Sequence, residues 1–307
     1  MASSLSSAIH QATEARRAGV ATAVGLVAIG FWSALALLTV LAAGLPPFQL
    51  LSLSFGVAFV LSVLLLGLRG KGSFRVWRQP WGVWAFGFIG IFAYHALYFT
   101  ALSKAPAAQA SLIAYLWPLL IVILSTLSRR EAFSPRHLVG ATLGFAGSAL
   151  VILGPDGSPT GGAFPLAGYA AAAAGALVWS SYSVFNRRFR HVPSEFIGGV
   201  CGLVSIAGLG AHLALETTVM PDATQWAAIL LLGAGPVGLA FFAWDHATKH
   251  GYLPLLGALS YLAPLLSTLL LLLFGLTPMS WSIIAAAILI VLGAAIAAFG
   301  LRVRNIR

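Results

Sequence analysis

Four short runs of this 307-residue chain carry groups able to recognise a ligand. They are Tyr94-His95 with Tyr98, Tyr115 with Trp117 and Pro118, Trp179 through Tyr182, and Ser260-Tyr261 with Pro264. All lie in stretches otherwise apolar enough for hydrocarbon. Buried indole N–H and phenol groups need hydrogen-bond partners, and rigid aromatic walls with a few polar handles suit a small molecule bearing a ring. Tyr94 and Tyr98 share a helical face at i, i+4, next to His95. Pro118 cannot accept the role of donor to the carbonyl of Ala114, nor Pro264 to that of Ser260, so each helix is expected to kink and free a carbonyl near its centre. In hydrocarbon such a carbonyl costs on the order of several kcal/mol unless water, a hydroxyl or a substrate satisfies it. Trp117 falls about ten residues inside its apolar run, ~15 Å from the start, and Trp32 is similarly deep. Helix packing is the competing reading of each aromatic residue taken singly.

Covalent chemistry lacks its parts. No H-E-x-x-H, no G-x-S-x-G and no paired acids appear in the apolar runs, so a membrane-embedded hydrolase has no machinery and an enzyme is not expected. The single cysteine, Cys201, excludes an internal disulfide and a cysteine-rich metal cluster, and no metal or cofactor is expected. GAGPVG at 233–238 fits G-x-G-x-x-G, but it lies inside an apolar run with no strand before it, which argues against a dinucleotide site. Asp245 and Lys249 stand at the end of another run; their spacing of four reads as an interfacial helix pair, with a gate or coupling role as the alternative. His212 reads as a histidine bonded to a backbone carbonyl. With no acid or base deeper than these, a carboxylate proton relay and a site for cationic drugs both lack their anchor.

The elements that must position these residues are membrane helices. The chain is 60% hydrophobic and 8% charged, with a mean hydropathy of +0.96, too little polar surface for a water-soluble globule. Ten runs are long enough to cross a ~30 Å hydrocarbon core: 20–42, 48–68, 79–101, 107–127, 136–153, 166–186, 194–215, 224–244, 253–274 and 280–301. Residues 1–19 form a polar tail with Arg16 and Arg17, and the run after it is too long for a cleavable signal. Every Lys and Arg except Lys104 falls on one side of this arrangement. The net charge of +10 is therefore a topology record that puts both termini in the cytoplasm, not a nucleic-acid footprint.

The chain also repeats itself. Tyr115, Leu116, Pro118, Leu119 and Leu120 match Tyr261, Leu262, Pro264, Leu265 and Leu266 at a constant offset of 146, and Gly147, Ala149 and Gly154 match Gly293, Ala295 and Gly300. An offset of 147 carries Trp32-Ser33 onto Trp179-Ser180 and Pro46 onto Pro193. The expected architecture is all-α: a first five-helix repeat at 20–155 and a second at 156–307 with a short basic tail. Five is odd, so the second repeat is inverted in the membrane. Inverted repeats are the architecture of alternating access, with a small-molecule site near the midplane between the halves. A channel filter and large docking loops are both missing.

The ten spans, the two inverted halves and the stretch YHALYFTALSKAPAAQASLIAYLWPLL, echoed less faithfully from His246 to Leu266, resemble the drug/metabolite transporter superfamily in its EamA-type branch. The resemblance covers essentially the full chain. Within that branch the YLWPL core and the aromatic strip resemble bacterial aromatic amino-acid exporters, which implies a monomeric multi-pass protein of the bacterial cytoplasmic membrane exporting aromatic and other neutral amino acids. Sugar-like, purine or drug-like metabolites are the alternative cargo, and a non-transporting receptor is a further one. The substrate residues so expected are Trp32, Tyr94, His95, Tyr98, Tyr115, Trp117, Trp179, Tyr182, Ser260 and Tyr261, with Pro118, Pro264, Asp245 and Lys249 as hinges or gates. The carbonyls of Ala114 and Ser260 would meet the substrate ammonium. The second half has Ala263 where the first has Trp117, so the cavity should be asymmetric.

Overall fold

A computed structural model describes residues 2–127, 134–153, 165–276 and 278–302. Arg129, Arg130, Gly154, Arg304 and Arg307, which enter the topology and register above, lie outside them. Among the described residues the regular structure is helical, with no strand. In chain order the helices are α1 (Ala2–Ser33), α2 (Leu35–Leu41), α3 (Pro47–Leu68), α4 (Trp81–Phe88), α5 (Tyr94–Lys104), α6 (Ala107–Ala114), α7 (Trp117–Leu127) and α8 (Pro135–Leu153). They continue as α9 (Leu166–Phe185), α10 (Phe196–Leu215), α11 (Ala223–Leu232), α12 (Ala240–His250), α13 (Leu253–Leu259), α14 (Leu262–Leu273) and α15 (Trp281–Arg302). Seven helical runs among the described residues are long and apolar enough to cross a membrane, and their lipid-facing leucines and valines stand exposed along α3, α10 and α15.

Local sequence explains where helices begin and break. Pro47 opens α3 at its first turn, where a missing N–H costs nothing. Asp222 and Gln225 form a reciprocal capping box at the start of α11. Two π-helical turns, Ile89–Ala93 between α4 and α5 and Gly233–Leu239 between α11 and α12, widen otherwise continuous helices. The second contains Pro236, whose absent N–H the wider turn absorbs. GAGPVG is therefore a helix distortion and no part of a nucleotide loop.

One expectation needs correcting here. The polar tail is not separate from the first span, because α1 runs unbroken from Ala2. At Pro118 and Pro264 the regular helix is interrupted by a turn, Tyr115-Leu116 between α6 and α7 and Ser260-Tyr261 between α13 and α14, and Ser260 and Tyr261 keep right-handed helical dihedrals there.

The packing pairs helices across the two halves. α8 lies along α15, α3 along α10, α1 along α12, α5 along α9 and α7 against α13. The α8–α15 seam is close because Gly140 and Gly293 each face the other's carbonyl, where a Cβ would sit only 2.5 Å from oxygen. Ser52 and Ser205 exchange hydroxyl-to-carbonyl hydrogen bonds of 2.9 and 2.8 Å between α3 and α10. At the far end of the same pair the Glu216 carboxylate accepts the backbone N–H groups of Phe48 and Gln49 at 2.9 and 3.1 Å, satisfying orphan donors of α3. His212 is not bonded to a carbonyl as expected: its ring nitrogens meet Glu216 Oε2 and Thr218 Oγ1, both at 2.9 Å.

Candidate functional site

The centre of the bundle is an aromatic cluster. Trp32 from α1, Trp117 from α7, Trp179 from α9 and Trp244 from α12 contact one another. The Trp32 ring centroid lies 6.2, 5.9 and 5.0 Å from those of Trp117, Trp179 and Trp244. Trp117 meets Trp179 and Trp244 edge-on at 6.3 and 5.7 Å, and Trp179 stacks on Trp244 at 6.4 Å. Phe241 closes the group at 5.7 Å from Trp179 and 6.1 Å from Trp32. Trp117, Trp179 and Trp244 are buried, and Trp32 is half-buried. Edge-to-face geometry of this kind contributes about 0.5–1.5 kcal/mol per pair beyond area burial, so a ligand ring entering here exchanges one set of ring contacts for another.

Each half supplies a polar edge. Tyr94 lies 5.3 Å from Trp179 and stacks on Tyr98 at 6.1 Å, whose hydroxyl is 3.1 Å from Ser111 Oγ. His95 packs among Phe55, Phe99 and Phe241. The two π-helical turns bear directly on this cluster, since widening a helix strands carbonyls. Ile91 O accepts His95 Nδ1–H at 2.8 Å, and Pro236 O accepts Trp32 Nε1–H at 3.0 Å across the halves. Trp244 Nε1 donates to Ser183 Oγ at 3.1 Å. The indoles of Trp117 and Trp179 carry no hydrogen bond to protein among the described residues, which leaves two N–H donors at the cluster.

The structure thus brings together Trp32, Trp117, Trp179, Tyr94 and Tyr182, with His95 and Tyr98 at the edge. Tyr182 sits 5.4 Å from Trp179. It does not bring in Ser260 or Tyr261. Ser260 is fully buried, its hydroxyl donates to Leu256 O at 2.7 Å, and its carbonyl accepts Ala263 N–H at 3.1 Å. That carbonyl, expected to be free for an ammonium group, is taken by a tight turn. Tyr261 is also fully buried and donates to the Tyr115 carbonyl at 3.1 Å. Tyr115 packs beside it in a separate cluster with Ala141, Leu255 and Ile290, so the two repeated tyrosines join the halves at the helix breaks.

Asp245 and Lys249 are not an interfacial pair. Their side chains form a 2.8 Å ion pair and are each 2% exposed. Asn186 Nδ2 donates to Asp245 Oδ1 at 2.9 Å and to Thr248 Oγ1 at 3.0 Å, while Lys249 Nζ donates to Val192 O at 3.0 Å. Removal of two charges from water is tolerable because each has such partners. The network ties the end of α12 to the end of α9, and it borders a cavity of about 10 Å³ that Tyr182, Asn186, Phe196 and Val83 also line, room for about one water.

Sequence reading missed Trp244, Phe241 and Asn186. Trp244 stood at the edge of the 224–244 run, yet α12 extends to His250 and places it well inside. One available signal was its offset of 146 from Tyr98.

The apolar helices mark a multi-pass membrane protein, and the family and relatives it matches are transporters, not enzymes. Two matches to the EamA-like transporter family, over residues 18–153 and 166–299, place the chain in that family. It is 45% identical over 278 residues to the aromatic amino acid exporter YddG of Ancylobacter novellus, covering 90% of this chain and 96% of that one. It is 24% identical to the protein of the same name in Salmonella typhimurium, covering 89% and 94%. A solved crystal structure superposes with a TM-score of 0.88 at 43% identity, over 92% of this chain and 98% of its own.

Proposed function

We propose that the protein exports aromatic and other neutral amino acids by alternating access, binding the substrate ring at the Trp32, Trp117 and Trp179 cluster with Tyr94, His95, Tyr98 and Tyr182 at its edge. The observation that carries this reading is the cluster itself: rigid rings, unspent indole donors at Trp117 and Trp179, and no charged side chain among them. A zwitterion has no net charge, so a site without ionised groups admits it. The name of the 45% identical relative supports the cargo class.

The architecture in this reading is ten spans in two inverted halves, 20–155 and 156–307, with both termini cytoplasmic and the chain acting as a monomer. Beyond the seven long runs, Ala107–Leu127, Pro135–Leu153 and Leu166–Phe185 fall at three further expected spans. The family model matches once per half. Contacts repeat at the sequence offset: Gly168 abuts Ala105 and Gly251 abuts Thr22, two pairs related by 146. The helix breaks at Pro118 and Pro264 act as hinges, and the Asp245–Lys249 pair closes the inner side.

Proteoliposomes test the cargo. Saturable flux of phenylalanine, tyrosine and tryptophan, with weaker flux of threonine and none of glucose or adenine, is the expected result; flux of the sugar or the purine in place of the amino acids overturns it.

A further inference from the structure

The Asp245–Lys249 pair has a use beyond closure. An α-amino acid carries one ammonium and one carboxylate, the same two charges as this pair, in the same order of separation. Lys249 spends two of its three N–H donors, on Asp245 Oδ2 and Val192 O, and Asp245 holds Asn186 and Lys249 on separate oxygens. A substrate that reaches the pair as the inner side opens can therefore take Asp245 with its ammonium and offer its carboxylate to Lys249, so that each charge is paired again when the exchange is complete. Water alone cannot match that exchange in a site this dry, because a separated buried charge is the costly state.

Two observations aim this chemistry at transport. First, the pair is continuous with the aromatic cluster: Trp244 adjoins Asp245 in α12, Tyr182 lines the same cavity and lies 5.4 Å from Trp179. Second, the feature belongs to one half only. Offsets of 146 carry Asp245 and Lys249 back onto Phe99 and Ser103, and 147 carries Asn186 onto Thr39. A repeated fold with a charge pair at one mouth is asymmetric in the direction that matters to an exporter, which loads from the inside.

Resting on the export reading above, we infer that Asp245 and Lys249 form an inner loading site that reads the zwitterionic head group of the amino acid. A substrate opens the inner side by replacing the pair's own contacts, and molecules with one charge missing do not.

The test compares phenylalanine with phenethylamine, which lacks the carboxylate, and hydrocinnamate, which lacks the ammonium, as competitors applied separately from the inner and outer faces of oriented proteoliposomes. In the wild type, phenylalanine competes from inside at least about ten-fold better than either analogue. Lys249→Met abolishes discrimination against phenethylamine, Asp245→Asn abolishes discrimination against hydrocinnamate, and Lys249→Arg and Asp245→Glu retain both. Equal loss of all three ligands in the neutral variants, with the discrimination ratio intact, makes the pair a structural clamp only and overturns the proposal. Absence of phenylalanine transport in the wild type instead overturns the export reading. If the neutral variants fail to fold, the wild type still decides: inner-face competition by phenethylamine or hydrocinnamate equal to that by phenylalanine contradicts the loading site.

Discussion

At the scale of residues, the account rests on what each indole is given to do. Trp32 spends its N–H on the Pro236 carbonyl, so Trp32→Phe strands that carbonyl and lowers stability by about 1–3 kcal/mol, read as a reduced melting temperature in detergent. Trp117 keeps its N–H and contributes ring contacts, so Trp117→Ala removes about 1.5–3 kcal/mol of ligand stacking, roughly a ten- to hundred-fold loss of aromatic flux. Trp117→Phe retains most of it. Trp32 and Trp117 were legible in the sequence because depth inside an apolar run separates a midplane indole from an interfacial anchor, and Trp179 because it repeats Trp32 and is followed by the polar run Ser180 to Tyr182. Trp244 was not, because hydropathy ends a span at the first polar residues, and Asp245, His246 and Lys249 follow it although their helix continues. The burial of Asp245 and Lys249 was hidden for the same reason: spacing gives the pair, but only tertiary packing supplies Asn186 and the Val192 carbonyl.

At the scale of elements, the proposed site borders places where helices stop being regular. The breaks at Tyr115-Leu116 and Ser260-Tyr261 were announced by prolines at one offset, but their form was not, since a proline specifies a lost donor and leaves the chain to find the rest. Here the Ser260 carbonyl is recaptured by Ala263 and the Tyr115 carbonyl by Tyr261. Pro118→Ala restores a donor and favours a continuous helix. The expected outcome is slower amino-acid flux with an unchanged or raised melting temperature; normal flux removes the hinge role. The π-helical turns gave weaker notice, through Gly90 and the run Gly233 to Gly238. Gly90 lies against the Tyr182 ring, and Gly90→Ala forces that ring aside at a cost of about 1–3 kcal/mol, measurable as a lower melting temperature together with reduced flux.

At the scale of the whole molecule, the long α8–α15 and α3–α10 contacts form a frame, and the pairs α1–α12 and α5–α9, with α7 against α9, carry the aromatic groups. The repeat made part of this frame legible, because offsets of 146 and 147 match residues in the first, fourth and fifth runs of each half; the identity of the cargo was less so, since an aromatic cluster selects a ring more than a molecule. Coupling follows from the charges. Among the described residues Asp245 is paired and Glu216 is held by His212 and two backbone N–H groups, so no free carboxylate waits to carry a proton. An imposed pH gradient should change phenylalanine flux by less than about two-fold, and uphill accumulation driven by that gradient would contradict this. The most direct test of the account is counterflow of labelled phenylalanine into phenylalanine-loaded proteoliposomes, run with the wild type and Trp117→Ala side by side. The account predicts robust exchange by the first and at least about a ten-fold loss in a folded second; equal exchange by both would contradict it.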